Sequence, residues 1–201
     1  MLVIKEYNRD HAIAYARRWA LDRNPLFFSF NGAGGDCTNF TSQCVFAGGC
    51  VMNYTPVYGW YYISSNDRTP SWSGVEFFYE FVTKNTGPGP FASVVEPDRI
   101  VPGDLVQLQN DEGRFYHTVI VLERTEDGDF LIAAHSDDYL ERRLSEYNVA
   151  GLRYLHIEGI RFETQLRDFC FQTLLSGGIE PFEETETPPE QETEQGVEQN
   201  T

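Results

Sequence analysis

The segment Gly34-Gly35-Asp36-Cys37-Thr38-Asn39-Phe40 sets a cysteine behind a glycine turn, at the start of an apolar, helix-compatible run. A helix start exposes unpaired N–H groups and a partial positive charge, and both favour an ionised sulfur. A neighbouring carboxylate opposes a second anion, so Asp36 is expected to turn its oxygens onto the helix amides as an N-cap. Far downstream, Tyr116-His117-Thr118-Val119-Ile120-Val121-Leu122 places a histidine at the mouth of an apolar strand. A thiol attacking a carbonyl needs an imidazole to take its proton and later protonate the leaving amine. Cys37 as nucleophile and His117 as base therefore point to a thiol hydrolase, whose chemistry calls for no cofactor.

A third polar group normally orients the imidazole. If the hairpin turn centres near residue 126, His117 and His135 fall opposite each other across the ladder, which makes His135 the favoured orienter. A slip of one residue would turn it away. Asp137 and Asp138 are the alternatives. The Cys37 backbone N–H is the natural oxyanion donor. His11 and His156 have no partner motif and read as structural, and Cys44, Cys50 and Cys170 read as buried thiols. The spacing of Cys37, Cys44 and Cys50 is too wide for a usual zinc site.

The elements that must hold these residues follow from pattern. Asn8 is placed to cap a helix over about 9–23, with Ile13, Ala16, Trp19 and Ala20 inward. A second helix should run from Cys37 to about Ala47 and stop at Gly48-Gly49. Residues 50–72 lack periodicity but carry Tyr54, Tyr58, Trp60, Tyr61, Tyr62 and Trp72, which suits either a binding wall or a packed loop. Ser73-Gly74-Val75-Glu76 resembles a capping box for a helix to about Asn85. Strands are expected at 105–109, 115–124, about 130–134 and about 152–158, with a hairpin turn at Glu126-Asp127-Gly128-Asp129. Helices first and strands later argue for an α+β fold. The expected division is a domain over 1–160, a C-terminal helix within 161–178 and a disordered acidic tail over 179–201.

Among 201 residues, 41% are hydrophobic, enough for one cored domain, and the formal net charge is −16. That acidity disfavours nucleic acid and anionic membrane surfaces as partners, while the glutamate-rich tail suits a basic partner. The N-terminal residues show no basic-then-apolar leader and no segment reads as a membrane span, so a cytoplasmic, reducing setting is the expectation.

Gly35-Asp36-Cys37-Thr38-Asn39-Phe40-Thr41-Ser42-Gln43-Cys44 with Ala47-Gly48-Gly49 resembles the signature of the bacterial "Putative amidase domain" family. The similarity continues through Gly59-Trp60-Tyr61-Tyr62, Trp72-Ser73-Gly74-Val75, Gly87-Pro88-Gly89-Pro90, Pro102-Gly103-Asp104-Leu105 and Tyr116-His117-Thr118. The resemblance covers about residues 7–158. It implies a papain-like fold related to the CHAP-type cell-wall amidohydrolases, with Cys37 and His117 as the nucleophile pair and His135 as third residue. It also implies a peptide or peptidoglycan-stem amide as substrate, with Asp36, Trp60, Tyr62 and Tyr116 as candidate substrate contacts. A thiol acyltransferase or a non-catalytic peptide- or glycan-binding module would share these features.

Overall fold

The computed structural model describes residues 1–32, 35–163 and 170–178. It has an α+β architecture. Helices α1 (Arg9–Trp19), α2 (Cys37–Gly49), α3 (Pro70–Ser73) and α4 (Val75–Lys84) come early in the chain. Most of the strands follow: β4 (Gly89–Val95), β5 (Leu105–Gln109), β6 (Phe115–Arg124), β7 (Phe130–Ala134), β8 (Tyr139–Arg143) and β9 (Gly151–Phe162). The short β1 (Val3–Lys5) joins them in one antiparallel sheet, in the order β1-β9-β5-β6-β7-β8 with β4 also on β9. A two-stranded ribbon, β2 (Tyr62–Ser64) and β3 (Asp67–Arg68), lies apart, and α5 (Cys170–Ser176) follows the sheet.

The two sheet faces differ. Leu105, Ile120, Leu122 and Ala133 join Phe40, Cys44, Tyr15 and Trp72 in the core under the helices. Val106, Leu108, Val119, Val121 and Ile132 join Val95, Ile100 and Leu144 on the opposite face. Period-2 alternation along β5, β6 and β7 produces both cores from the same strands.

Asn8 caps α1 through its Oδ1, which accepts from the His11 amide, but the helix ends at Trp19, short of the expected residue 23. Several local expectations are overturned. The α2 helix runs through Gly48 and Gly49 and is ended by Cys50 in a left-handed conformation. Those glycines serve close packing: a Cβ at Gly48 would meet the Tyr7 ring at 2.2 Å, and one at Gly49 would meet Ile160 at 2.7 Å. The capping box does not form. Gly74 is the N-cap of α4, Ser73 accepts from the Arg68 Nε–H, and Glu76 pairs with Arg153. Cys50 and Cys170 are not thiols but a disulfide, because α5 folds back beside the C-terminal end of α2. Cys44 is a buried thiol. The C-terminal helix begins within the described residues only at Cys170, and the tail over 179–201 lies outside them.

Asp104 ties the early and late halves together. Its buried carboxylate accepts from the Arg9 guanidinium at 2.6 Å, His156 Nδ1 at 2.7 Å and the Ile157 and Val101 amides at 3.0 Å. His11 stacks on Phe171 with ring centroids 3.7 Å apart.

Candidate active site

Cys37 opens α2 and is 6% exposed. Its sulfur accepts from the backbone N–H of Thr118 and lies 3.8 Å from the Thr38 hydroxyl. The availability of that Thr118 amide follows from the strand geometry. The Val121 amide donates to Asp104 O, on the β5 side of β6. Alternation then turns the Thr118 amide towards β7. The β6–β7 pairing stops at Ile120↔Ala133, so β7 has already left. Helix α2 packs on both strands, its first turn against Thr118.

A polar chain supports the sulfur from behind. The Thr38 and Thr118 hydroxyls are 3.1 Å apart. Gln107 Nε2 donates to Thr118 Oγ1 and to Val75 O, while Arg153 Nε donates to Gln107 Oε1. Thr38, Thr118 and Gln107 are fully buried. Sequence reasoning missed all three, although each lies within or beside a motif it singled out.

Burial raises the Cys37 thiol above its ordinary value; the Thr118 and Thr38 contacts pull it down but do not win, and the Asp36 charge adds to the rise. The expected helix-start thiolate is thus overruled by desolvation. His117 is 8% exposed, and its pKa is lowered to about 4 by burial, with Asp137 opposing and Arg142 reinforcing the shift. The resting pair is a neutral thiol and a neutral imidazole. Among the described residues no side-chain hydrogen bond joins them. His117 pairs with Leu108 and shares its sheet face, whereas Thr118 faces α2. The two faces meet at the His117–Thr118 peptide, Thr118 contacting α2 and His117 facing the other side of the sheet. Beside this peptide the strand carries a bulge, the register with β5 shifting between Leu108↔His117 and Gln109↔Phe115. Bulges of this kind re-aim side chains. Tyr116 and Tyr147 flank the imidazole, with centroids at 6.1 and 5.9 Å.

His135 does not sit opposite His117. The register Ile120↔Ala133, carried on, sets His135 against Thr118, one residue away from the expected pairing. Its side chain consequently lies on the helix face. Nδ1 is 2.9 Å from Asp36 Oδ2, Nε2 is 2.8 Å from Trp19 O, and the ring stacks on Phe40 at 4.0 Å. Asp138 is held by Arg23 at 2.8 Å. Of the three suggested orienters, only Asp137 is left to act on His117, through its charge.

Asp36 is neither a helix cap nor a substrate contact. It is fully buried, and its side chain makes no bond to the α2 amides. Oδ1 accepts from the Phe30 amide and Asn39 Nδ2, and Oδ2 meets His135 and the Arg23 Nε at 3.3 Å. Burial pushes its carboxyl up, but the His135, Phe30 and Asn39 bonds outweigh that and leave it below the ordinary range. Trp60 is likewise no cleft residue. It is fully buried against Trp72, Phe78 and Phe81, and its indole N–H donates to Ser42. Tyr62 is half-buried, and its hydroxyl accepts from the Phe28 amide, bracing the aromatic loop before α2. Only Tyr116 is freely presented, at 45% exposure.

Among the described residues, no group of three or more His, Cys, Asp or Glu side chains is arranged to hold a metal ion, and no helix is long and apolar enough to cross a membrane.

Compared with known families, the chain matches the "Putative amidase domain" model over residues 6–156, a span that begins just after β1, ends within β9 and contains Cys37, His117 and His135. The chain belongs to that family, and membership points to hydrolysis of an amide. It is also 28% identical over 135 residues to the uncharacterized protein YhbB of Bacillus subtilis (strain 168), a stretch covering 66% of this chain and 42% of YhbB. The matched stretch is thus less than half the length of that relative. No solved structure matches the chain.

Proposed function

We propose that the protein is a cysteine-dependent amidohydrolase of papain-like type, related to CHAP-type enzymes, in which Cys37 is the nucleophile and His117 the base. The observation that carries this reading is the contact of the first turn of α2, which begins with Cys37, on Thr118, the strand neighbour of His117, with the Thr38 and Thr118 hydroxyls 3.1 Å apart. Neutral imidazole is the form that accepts a proton. Sγ attacks the amide carbonyl, the S–C bond forms, and the thiol proton passes to His117. The carbonyl oxygen becomes an oxyanion. Because the Asp36 carboxylate claims no amide of the first turn, the Cys37 N–H is available to that oxyanion. Collapse of the intermediate expels the amine, which takes the proton from His117 and leaves a thioester. Water then attacks the thioester, giving its proton to His117, and the thiol is regenerated as the acid departs.

Peptide or peptidoglycan-stem amides are the substrate class this reading favours, with Tyr116 as the exposed ring beside the base. The test is turnover of a panel of muropeptides and simple peptide amides, with the labelled residue mapped after reaction with an electrophilic thiol probe. Cys37→Ala should abolish turnover and labelling while leaving the thermal midpoint within a degree or two. Full turnover by that variant, on any substrate found, would end the assignment.

A further inference from the structure

We propose that His135 and Ser136, the two residues that follow β7, position the Cys37 nucleophile by gripping Asp36, and that they act on the sulfur side of the site. This rests on the assignment of Cys37 given above. The grip has two parts. The Ser136 hydroxyl accepts from the Asp36 amide at 2.8 Å, which fixes the backbone immediately before Cys37. The His135 ring meets the Asp36 carboxylate at 2.9 Å, which fixes its side chain. Asp36 and His135 are at most 1% exposed, so neither contact is diluted by water.

The backbone carries a mark of the same role. Ser136 sits at φ 86°, a conformation that side-chain-bearing residues seldom adopt. Its hydroxyl thereby reaches Asp36 across the chain, close enough that a Cβ at Gly35 would lie 3.3 Å from it. Strained residues of this kind persist where the surroundings hold them, and they cluster at functional sites. Both His135 nitrogens are engaged: Nδ1 with the Asp36 carboxylate at 2.9 Å, and Nε2 with the Trp19 carbonyl at 2.8 Å and Arg23 Nη1 at 3.4 Å. Neither nitrogen is turned to Cys37 or His117. Its work is positioning.

The charges around Cys37 are Asp36 in front of it, His135 and Arg23 against Asp36, Asp138 on Arg23, and His117 next to Thr118. The His135 hydrogen bond and the Arg23 guanidinium hold the Asp36 carboxylate, whose charge opposes thiolate formation at Cys37. Two substitutions should therefore move the thiol in opposite directions. His135→Gln leaves Asp36 less compensated, and the midpoint of the pH dependence of Cys37 alkylation by iodoacetamide should rise by about one unit. Asp36→Asn removes the opposing charge and should lower it by about one unit. In spite of easier ionisation, Asp36→Asn should reduce turnover by about 100-fold, because the sulfur is no longer held in line.

Alkylation, mapped to Cys37 by mass spectrometry, needs no substrate, so it reads the grip whether or not the amidase assignment holds. Loss of that assignment would show separately, as turnover surviving Cys37→Ala. An alkylation midpoint unmoved in either variant, or a His135→Gln variant that shifts the acid limb of the turnover profile and not the thiol, would overturn the proposal. Should His135→Gln fail to fold, Ser136→Ala decides. Hydrogen exchange at the Asp36 amide should then accelerate at least about 10-fold with β6 unchanged, and unchanged exchange at Asp36 would overturn it.

Discussion

Replacing His117 with asparagine tests the electrostatic core of the site. The imidazole has a pKa of about 4 in the fold against 6.5 for the free side chain. At about 1.4 kcal/mol per unit, that gap corresponds to roughly 3 kcal/mol. The sign follows from the depressed value. The fold favours the neutral ring, so its stabilisation is complete above pH 6.5, fades as the unfolded chain takes up the proton, and is lost once the pH reaches about 4. Urea unfolding of the native protein and of His117→Asn, run from pH 7.5 down to 3.5, isolates the effect because the remaining groups are common to both. The native protein should lose about 3 kcal/mol more than the variant between pH 6.5 and 4, with the two curves parallel on either side. Parallel curves through that window would show that the ring is not held neutral by burial, and the proposed proton acceptor would go with it. The same value predicts an acid limb of kcat/KM near pH 4, where a free histidine would give one near 6.5.

Other parts of the fold yield further expectations. Cys50→Ser with Cys170→Ser opens a loop with a sequence separation of 120 residues. It should cost about 5 kcal/mol in urea unfolding on the chain-entropy model, and free thiols at both positions in alkylated native protein would remove the cross-link. Trp60→Ala should cost about 3–5 kcal/mol as a core truncation, while Tyr116→Ala should leave the thermal midpoint nearly unchanged and raise KM. The reverse pattern would return Trp60 to the substrate cleft. Asp104→Ala strands Arg9 and His156 and should cost about 3–5 kcal/mol; a change below 1 kcal/mol would mean that these contacts are dispensable.

Periodicity and punctuation made much of this molecule legible. The apolar run after Cys37 is a buried helix, and the apolar stretch over 115–124 is a strand, which the structure buries on both faces from His117 to Leu122. What escaped was anything decided by a single residue of register or by distant packing. The position of His135 relative to His117 depends on irregularities in the β6–β7 ladder, where pairing shifts between Val121 and Glu123. No composition signal marks such a shift. The aspartate before Cys37 has the spelling of a cap, but four partners, three of them buried, outbid the helix amides for its oxygens. Trp60 and Gly48 are similar cases. A tryptophan in an aperiodic aromatic stretch, or a glycine near a helix end, takes its meaning from neighbours far along the chain, here Phe81 and Tyr7. The Cys50–Cys170 bond could not be read because the two cysteines lie 120 residues apart in sequence and only the packing of α5 against α2 brings them together.

That bond has a mechanical consequence. It fastens the far end of the helix that begins with Cys37 to a segment beyond the sheet, and the intervening chain holds β2 through β9. A protease nicking any surface turn between the two half-cystines would leave its fragments covalently tied, with the strands still paired along their lengths. A single cut would show on a gel only after reduction. For a molecule exposed to peptidases, tolerance of one clipped loop means a longer working life.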